Sequence, residues 1–234
     1  MKNIYYGVMI SAATLAFYQT SFSQTKQEKK VKTEKMETGM YSGSESKTAM
    51  KYYTEAAEKD KAEDFKGAIK LYEKAIKEDP KFIEAYDNMA VCYRRLGDFK
   101  NAIENYNKSI ELYPNGIMAH ENLGVIYGIQ KKYKEAIAEY EVVQKIDPED
   151  PEGYYGTINN YLNLKDYKSA IKNATKTLEI YEATNSKFLY EAQYLLGLSY
   201  YYDNDMENAK TYIQLAQKAG MKIPDNILKD LKIK

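Results

Sequence analysis

The feature that most constrains the fold is a segment that recurs along the chain at a fixed spacing. It begins with an aromatic residue, carries an alanine three positions later, and returns every 34 residues without a gap. The four copies are FKGAIKLYEKAIKEDP at 65–80, FKNAIENYNKSIELYP at 99–114, YKEAIAEYEVVQKIDP at 133–148 and YKSAIKNATKTLEIYE at 167–182. A period of this length indicates a stack of small supersecondary units, each of which buries its apolar face against its neighbours.

Residue types at fixed positions within the period divide the body of the chain into five units. We place these units at 49–82, 83–116, 117–150, 151–184 and 190–223. Position 20 is alanine in every unit, namely Ala68, Ala102, Ala136, Ala170 and Ala209. Position 8 is small in four of them, namely Ala56, Ala90, Gly124 and Gly197. The first three units have proline at position 32, namely Pro80, Pro114 and Pro148.

This pattern resembles the tetratricopeptide repeat (TPR) family, whose repeat runs W-x2-L-G-x2-Y, then A-x3-F, then P. The resemblance covers about three quarters of the chain and rests on several positions that recur together. It implies an all-α protein, a right-handed superhelical solenoid in which each repeat is a helix A, a turn and a helix B. Small residues let these helices approach closely, aromatics fill the space between them, and proline ends helix B.

The fourth repeat departs from the pattern in two ways. It has Ile158 where a small residue is usual and Ala174 where an aromatic is usual, which we interpret as an exchange of bulk between helices A and B. Five extra residues, 185–189, then precede the fifth repeat. We expect them to form a longer helix B or a loop.

The last segment, 224–234, predicts a capping helix. Apolar residues fall on one face of a helix there, at Ile227, Leu228 and Leu231. Such a helix would cover the apolar face of the last repeat, which no further repeat protects.

The first 23 residues have the layout of a secretory signal peptide. Lys2 is followed by an uncharged, mostly apolar stretch from Ile4 to Tyr18, and Ser21 and Ser23 supply the small residues of a cleavage site. The alternative is an uncleaved membrane anchor, but the stretch is shorter than the roughly 20 residues that a spanning helix needs. We therefore expect export to the periplasm or beyond, with no stable membrane insertion after cleavage.

Residues 24–47 predict a disordered tether. They are rich in Lys, Glu, Ser, Thr and Gly and show no apolar period, so they cannot bury enough surface to offset the entropy of ordering. The segment has six lysines and four glutamates, which gives it a net charge of +2. The remaining body of the protein is mildly acidic.

Composition excludes several classes of function. The 34 basic and 34 acidic residues balance, which argues against nucleic acid as a partner because a nucleic-acid binder carries a basic field. The single histidine, His120, and the single cysteine, Cys92, stand at core positions of helix A and suit packing better than catalysis or metal binding. We therefore predict that the protein is not an enzyme and uses no cofactor and no metal.

By the resemblance, positions 2, 5, 9, 12 and 13 of each helix A line a concave groove that binds a protein or peptide ligand. The candidate binding residues are Tyr53, Glu84, Asp87, Arg94, Arg95, Glu121, Tyr155, Asn159, Tyr194, Tyr201 and Tyr202. Acids outnumber bases among these positions, so the basic clamp with which some TPR domains hold a terminal carboxylate is absent. Tyr155, Tyr194, Tyr201 and Tyr202 stand where packing within a repeat does not require them, as interface anchors do. The alternative is that they are solvated or pack on the cap.

These observations predict a non-enzymatic interaction scaffold in a bacterial cell envelope. The bacterial origin is inferred from the signal peptide and from the 32 lysines against two arginines, which suit an AT-rich coding sequence. An alternative is a structural component that self-assembles into a homo-oligomer. A further alternative is glycan binding by the tyrosines, although tryptophan, which is absent, would then be expected.

Overall fold

The structure is a computed structural model and describes residues 43–233. Within these residues the regular structure is entirely helical. The helices are α1 (Lys47–Lys61), α2 (Phe65–Glu78), α3 (Ile83–Arg95), α4 (Phe99–Leu112), α5 (Ile117–Ile129), α6 (Tyr133–Ile146), α7 (Pro151–Leu164), α8 (Tyr167–Ala183), α9 (Leu189–Tyr202), α10 (Met206–Lys218) and α11 (Asp225–Asp230). None of the described helices is long and apolar enough to cross a bilayer. The predicted signal peptide and most of the predicted tether lie outside the described residues.

The helices pair in chain order and stack into a right-handed solenoid, which confirms the predicted fold class. The odd-numbered helices α1 to α9 are the A helices, and the even-numbered helices α2 to α10 are the B helices. Each A helix contacts the B helix that follows it, and each B helix contacts the next A helix. The sequence encodes this alternation through the short turns between helices, because short connections leave antiparallel neighbours in contact.

The turn from helix A to helix B has the same backbone conformation in every repeat. A residue with positive φ stands at repeat position 15 each time: Glu63, Gly97, Lys131, Lys165 and Asn204, with φ of 59°, 77°, 60°, 62° and 67°. In four of the five turns the next residue is an aspartate whose side chain accepts a hydrogen bond from the third residue beyond it and so caps helix B.

The core runs along the solenoid between the A and B helices. Small residues allow the close approach: a Cβ on Gly124 would lie 2.7 Å from the ring of Tyr140, and a Cβ on Gly156 would lie 2.3 Å from it. In the fourth repeat both Ile158 and Ala174 are fully buried in one cluster. The larger Ile158 and the smaller Ala174 therefore both fit into the core of that repeat, as the predicted exchange of bulk requires.

The inserted residues before the fifth repeat form a turn that leads into α9, and the helix before this turn is longer than the other B helices. Helix α8 has 17 residues, whereas α2, α4 and α6 have 14 each. A turn follows, in which Asn185 has a φ of 49° and the ring of Phe188 lies 6.4 Å from that of Tyr181. After α10, Ile223, Ile227 and Leu231 are buried against the last repeats, so α11 covers the end of the core.

The predicted tether extends too far toward the repeats. Residues 43–47 belong to the fold, because Ser46 caps α1 and the N–H of Gly43 donates to Oε1 of Glu84 at 3.0 Å. The hydroxyl of Ser44 also donates a short hydrogen bond to Asp79. These residues are held by polar contacts to the first and second repeats, and polar contacts leave no apolar period in the sequence.

Candidate protein-binding groove

The A helices share one face of the solenoid. Consecutive A helices contact one another from α1 to α9, whereas no two B helices of the described residues contact each other. Helices that lie closer together line the inner side of a curved stack. The candidate binding residues all belong to A helices, so the structure gathers them on the helices of this inner face.

Two of the candidate carboxylates are buried. Asp87 on α3 has 0% of its surface exposed, and Glu121 on α5, which occupies the same repeat position, has 1%. Glu84, Glu152 and Glu191 are half-buried at position 2 of their own A helices. We refer to these five residues as the acidic row, which extends from the second repeat to the fifth.

Buried tyrosines of the B helices lie close to the acidic row. Burial raises the pKa of Tyr106, which is also near Arg94 and Asp87. Burial likewise raises the pKa of Tyr140, with Glu121 and Glu152 adding to the effect. Arg94 lies near both tyrosines and thus brings positive charge close to the acidic row.

At its far end the acidic row meets Tyr155. The hydroxyl of Tyr155 donates to Oε2 of Glu191 at 3.2 Å and links α7 to α9. Burial raises the pKa of the Glu191 carboxyl, although hydrogen bonds to it act in the opposite direction. This end of the groove combines a half-buried carboxylate with an aromatic ring, and such a combination suits a cationic or amide-bearing ligand.

The other candidate tyrosines, on α9, have packing partners outside their own repeat, and for Tyr201 these include the cap, as the alternative interpretation expects. The ring of Tyr202 stacks on that of Tyr167 with centroids 6.0 Å apart, and the hydroxyl of Tyr201 donates to Oδ2 of Asp230 in the cap at 2.6 Å. Tyr194 packs against the core of the last two repeats. Tyr167 belongs to the fourth repeat and Asp230 to the cap, so both contacts join the fifth repeat to its neighbours.

In the first repeat Tyr53 also has packing partners. Its ring centroid lies 4.8 Å from that of Phe82, and its hydroxyl accepts a hydrogen bond from Nδ2 of Asn88 at 2.7 Å. Tyr53 therefore joins α1 to the second repeat.

The remaining candidates, Asn159 and Arg95, differ in position. Asn159 is half-buried on α7, an A helix, and its backbone carbonyl accepts a hydrogen bond from the side chain of Asn163. Arg95 is exposed at the end of α3, with its guanidinium 5.6 Å from the ring centroid of Phe65. Arg95 thus interacts with a B helix and is separated from the acidic row.

A pairing that the sequence analysis missed joins His120 to Glu139. Nδ1 of His120 lies 2.7 Å from Oε2 of Glu139, and Nε2 lies 3.1 Å from the carbonyl oxygen of Pro114. Burial lowers the pKa of His120, but these two hydrogen bonds outweigh it and the pKa is raised. The alignment of the repeats could have identified this pair. His120 stands at position 4 of helix A, and Glu139 stands at position 23, on the helix B that packs against it.

The described residues offer no cluster of three or more His, Cys, Asp or Glu side chains that could hold a metal ion. Cys92 is buried on α3, and burial with nearby Asp60 raises the pKa of its thiol to about 12. A thiol in this state is a poor nucleophile, because the thiolate is the reactive form.

Comparison with known proteins supports the repeat assignment. Two models of the tetratricopeptide repeat match, one over residues 81–149 and the other over residues 191–218. No curated protein sequence matches the chain.

Among solved structures the solenoid is similar to MamA (41-end) from Desulfovibrio magneticus RS-1, with a TM-score of 0.68, 19% identity, and coverage of 75% of this chain and 97% of that one. Another MamA crystal structure has a TM-score of 0.67 at 22% identity, covering 76% and 98%. PilF of Pseudomonas aeruginosa has a TM-score of 0.65 at 18% identity, covering 79% and 85%. The chain therefore contains tetratricopeptide repeats, and its helices have the fold of these solved TPR solenoids.

Proposed function

We propose that this protein is a non-enzymatic scaffold of a bacterial cell envelope that binds a segment of another protein along the inner face of its A helices. The observation that carries the proposal is the shared inner face of the A helices, along which the half-buried carboxylates of Glu84, Glu152 and Glu191 follow one another from α3 to α9. Polar groups repeated along a groove suit an extended chain, because such a chain presents side chains and amides at regular intervals.

The rest of the described chain is consistent with binding. All of it belongs to the repeats, the cap or the short segment that precedes α1. The tetratricopeptide repeat is typical of proteins that bind other proteins. Export rests on the layout of residues 1–23, which remains a prediction from the sequence.

Co-purification with paired variants tests this proposal. Asn159→Arg places a long charged side chain on α7 among the A helices. The matched control, Glu179→Arg, places the same side chain at an exposed position of helix α8. Both proteins are tagged, expressed in their native host, and compared for thermal unfolding before the co-purifying proteins are identified by mass spectrometry.

We expect Asn159→Arg to lose partners that the wild type and Glu179→Arg retain, while all three proteins melt at similar temperatures. Equal recovery of every partner by the two variants would show that the inner face is not the binding surface.

A further inference from the structure

We propose that His120 forms a pH-dependent link between the second and third repeats. The ring holds the loop before α5 when both of its nitrogens are protonated, and it releases this loop when Nε2 loses its proton to solvent. The loop consists of residues 113–116 and joins α4 to α5. The inference concerns the free protein and goes beyond the proposed function, because it requires no partner.

The ring of His120 lies between two hydrogen-bond acceptors. Nδ1 is 2.7 Å from Oε2 of Glu139 on α6, and Nε2 is 3.1 Å from the carbonyl oxygen of Pro114 in the loop. An ionised carboxylate and a carbonyl oxygen can only accept, so both contacts are satisfied only when each ring nitrogen carries a proton. Loss of one proton therefore removes one of the two hydrogen bonds.

The hydrogen bond to Pro114 is the one that is lost. A hydrogen bond from an N–H to a carboxylate is charge-assisted and roughly twice as strong as one to a neutral carbonyl. The remaining proton therefore stays on Nδ1, beside Glu139. Nε2 then presents a lone pair to the carbonyl oxygen of Pro114, and because two acceptors repel each other, the loop moves away from α5.

Glu139 is the charged group that faces His120. It is supplied by α6, and its hydrogen bond and charge help to raise the pKa of His120 against the opposing effect of burial. The helices α3, α4 and α7 also pack against α5, and among the described residues none of their charged groups acts on this pKa. Tyr127, on α5 itself, lies near Glu139, and its own pKa is raised chiefly by burial. The proton that controls the link near neutral pH is therefore that of His120.

The junction between α4 and α5 has little other polar support. Gly116 precedes α5 without a side-chain cap, and the buried hydroxyl of Ser109 on α4 has no hydrogen-bond partner among the described residues. At the next junction, between α6 and α7, Asp150 caps α7, and Nε2 of Gln144 donates to the carbonyl oxygen of Gly153 at 2.9 Å. The link through His120 therefore acts at a junction that lacks the polar contacts of the next one.

The imidazole spectrum tests which nitrogen loses its proton. His120 is the only histidine, so a two-bond ¹H–¹⁵N correlation of the isotope-labelled protein reports this ring alone. We expect the neutral ring to carry its proton on Nδ1, with a titration midpoint above about pH 6.5. A neutral ring that is protonated on Nε2 would overturn the proposal.

Amide hydrogen exchange tests whether the loop follows the ring. The N–H of Gly116 donates to the carbonyl oxygen of Tyr113 at 3.0 Å, and the same turn recurs one period away at Phe82 and at Asp150, each at 3.1 Å. We expect the protection factor of the Gly116 amide to fall about three- to tenfold as the ring loses its proton, while those of Phe82 and Asp150 stay constant. Equal changes at the three amides, or constant protection at Gly116, would contradict the link.

Two variants separate the link from a general effect of pH. His120→Tyr introduces the residue type that stands at this position in the first, second and fourth repeats, and tyrosine does not titrate near neutral pH. In Glu139→Gln the side-chain amide can donate to Nδ1, so the neutral ring keeps a proton on Nε2 and its hydrogen bond to Pro114. We expect neither variant to lose protection at Gly116 as the pH rises. Loss of protection in either variant, with the midpoint of the wild type, would show that the loop does not respond to His120.

Discussion

His120 and Glu139 form a buried pair that joins α5 to α6, with Nδ1 of the imidazole 2.7 Å from Oε2 of the carboxylate. The other ring nitrogen faces the carbonyl oxygen of Pro114. An ionised carboxylate and a carbonyl oxygen can only accept hydrogen bonds, so this arrangement suits a ring that carries both protons. These two contacts raise the pKa of His120, the only histidine of the chain, although only 7% of its surface is exposed.

Glu139→Gln should therefore destabilise the protein in a pH-dependent manner. The folded-state pKa of His120 lies above its ordinary value, so the pair contributes its full stability below about pH 6.5. The contribution is lost as the pH rises through the raised folded pKa. We expect the variant to unfold with about 2 kcal/mol less free energy on the acidic side, and the difference from the wild type to shrink as the pH rises. Urea unfolding across a pH series measures this, and a difference that grows with pH would contradict it.

Gly156→Ala should destabilise the solenoid through overpacking. The added Cβ would lie 2.3 Å from the ring of Tyr140, which is buried and already lies against Gly124. We expect a loss of about 1–3 kcal/mol in the free energy of unfolding. Gly128→Ala is the matched control, since its nearest neighbour is Oδ1 of Asn160 at 3.4 Å. That variant should be neutral or gain up to about 1 kcal/mol, because alanine favours a helix over glycine.

Tyr201→Phe should loosen the capping helix without unfolding the repeats. The substitution removes the hydroxyl that donates to Asp230 at 2.6 Å and leaves the ring in place. We expect faster amide hydrogen exchange in α11 and a global loss of about 1 kcal/mol or less. Tyr200→Phe is the matched control, because it also removes a tyrosine hydroxyl and keeps the ring that stacks on Tyr212. Unchanged exchange in α11 would show that this hydrogen bond does not hold the cap.

Cys92 should resist thiol reagents in the native protein. The thiol is buried, its pKa is about 12, and Asp60 disfavours the thiolate. We expect negligible alkylation near neutral pH under native conditions and complete alkylation in denaturant, as followed by mass spectrometry. Rapid native alkylation would mean that α3 opens from the core.

The repeat pattern predicted the fold because its constrained positions act locally. Alanine at position 20 and small residues at position 8 leave room for a neighbouring helix. The need for a small side chain at these positions recurs from repeat to repeat. The residue type favours the left-handed turn conformation at Gly97 and at Asn204. Lys131 and Lys165 adopt the same conformation, although neither residue type favours it. In those turns the packing of the helix pair overrides the local preference of the residue.

The candidate groove was less predictable because its residues have partners outside the repeat pattern. Tyr201 contacts the cap, and Tyr202 contacts a residue of the previous repeat. Glu84 contacts Gly43, which the sequence analysis had assigned to the tether. The contacts with Asp230 and Gly43 lie at the two ends of the solenoid, about which a periodic alignment contains no information.

Site-specific photo-crosslinking in cells of the native host tests the central claim most directly. A photoreactive amino acid replaces Asn159 on α7 in one protein and Glu179 at the exposed position of α8 in another. We predict that the Asn159 position gives a discrete crosslinked product that contains another protein, and that the Glu179 position does not. Crosslinking of the same protein from both positions, or from Glu179 alone, would contradict binding along the inner face of the A helices.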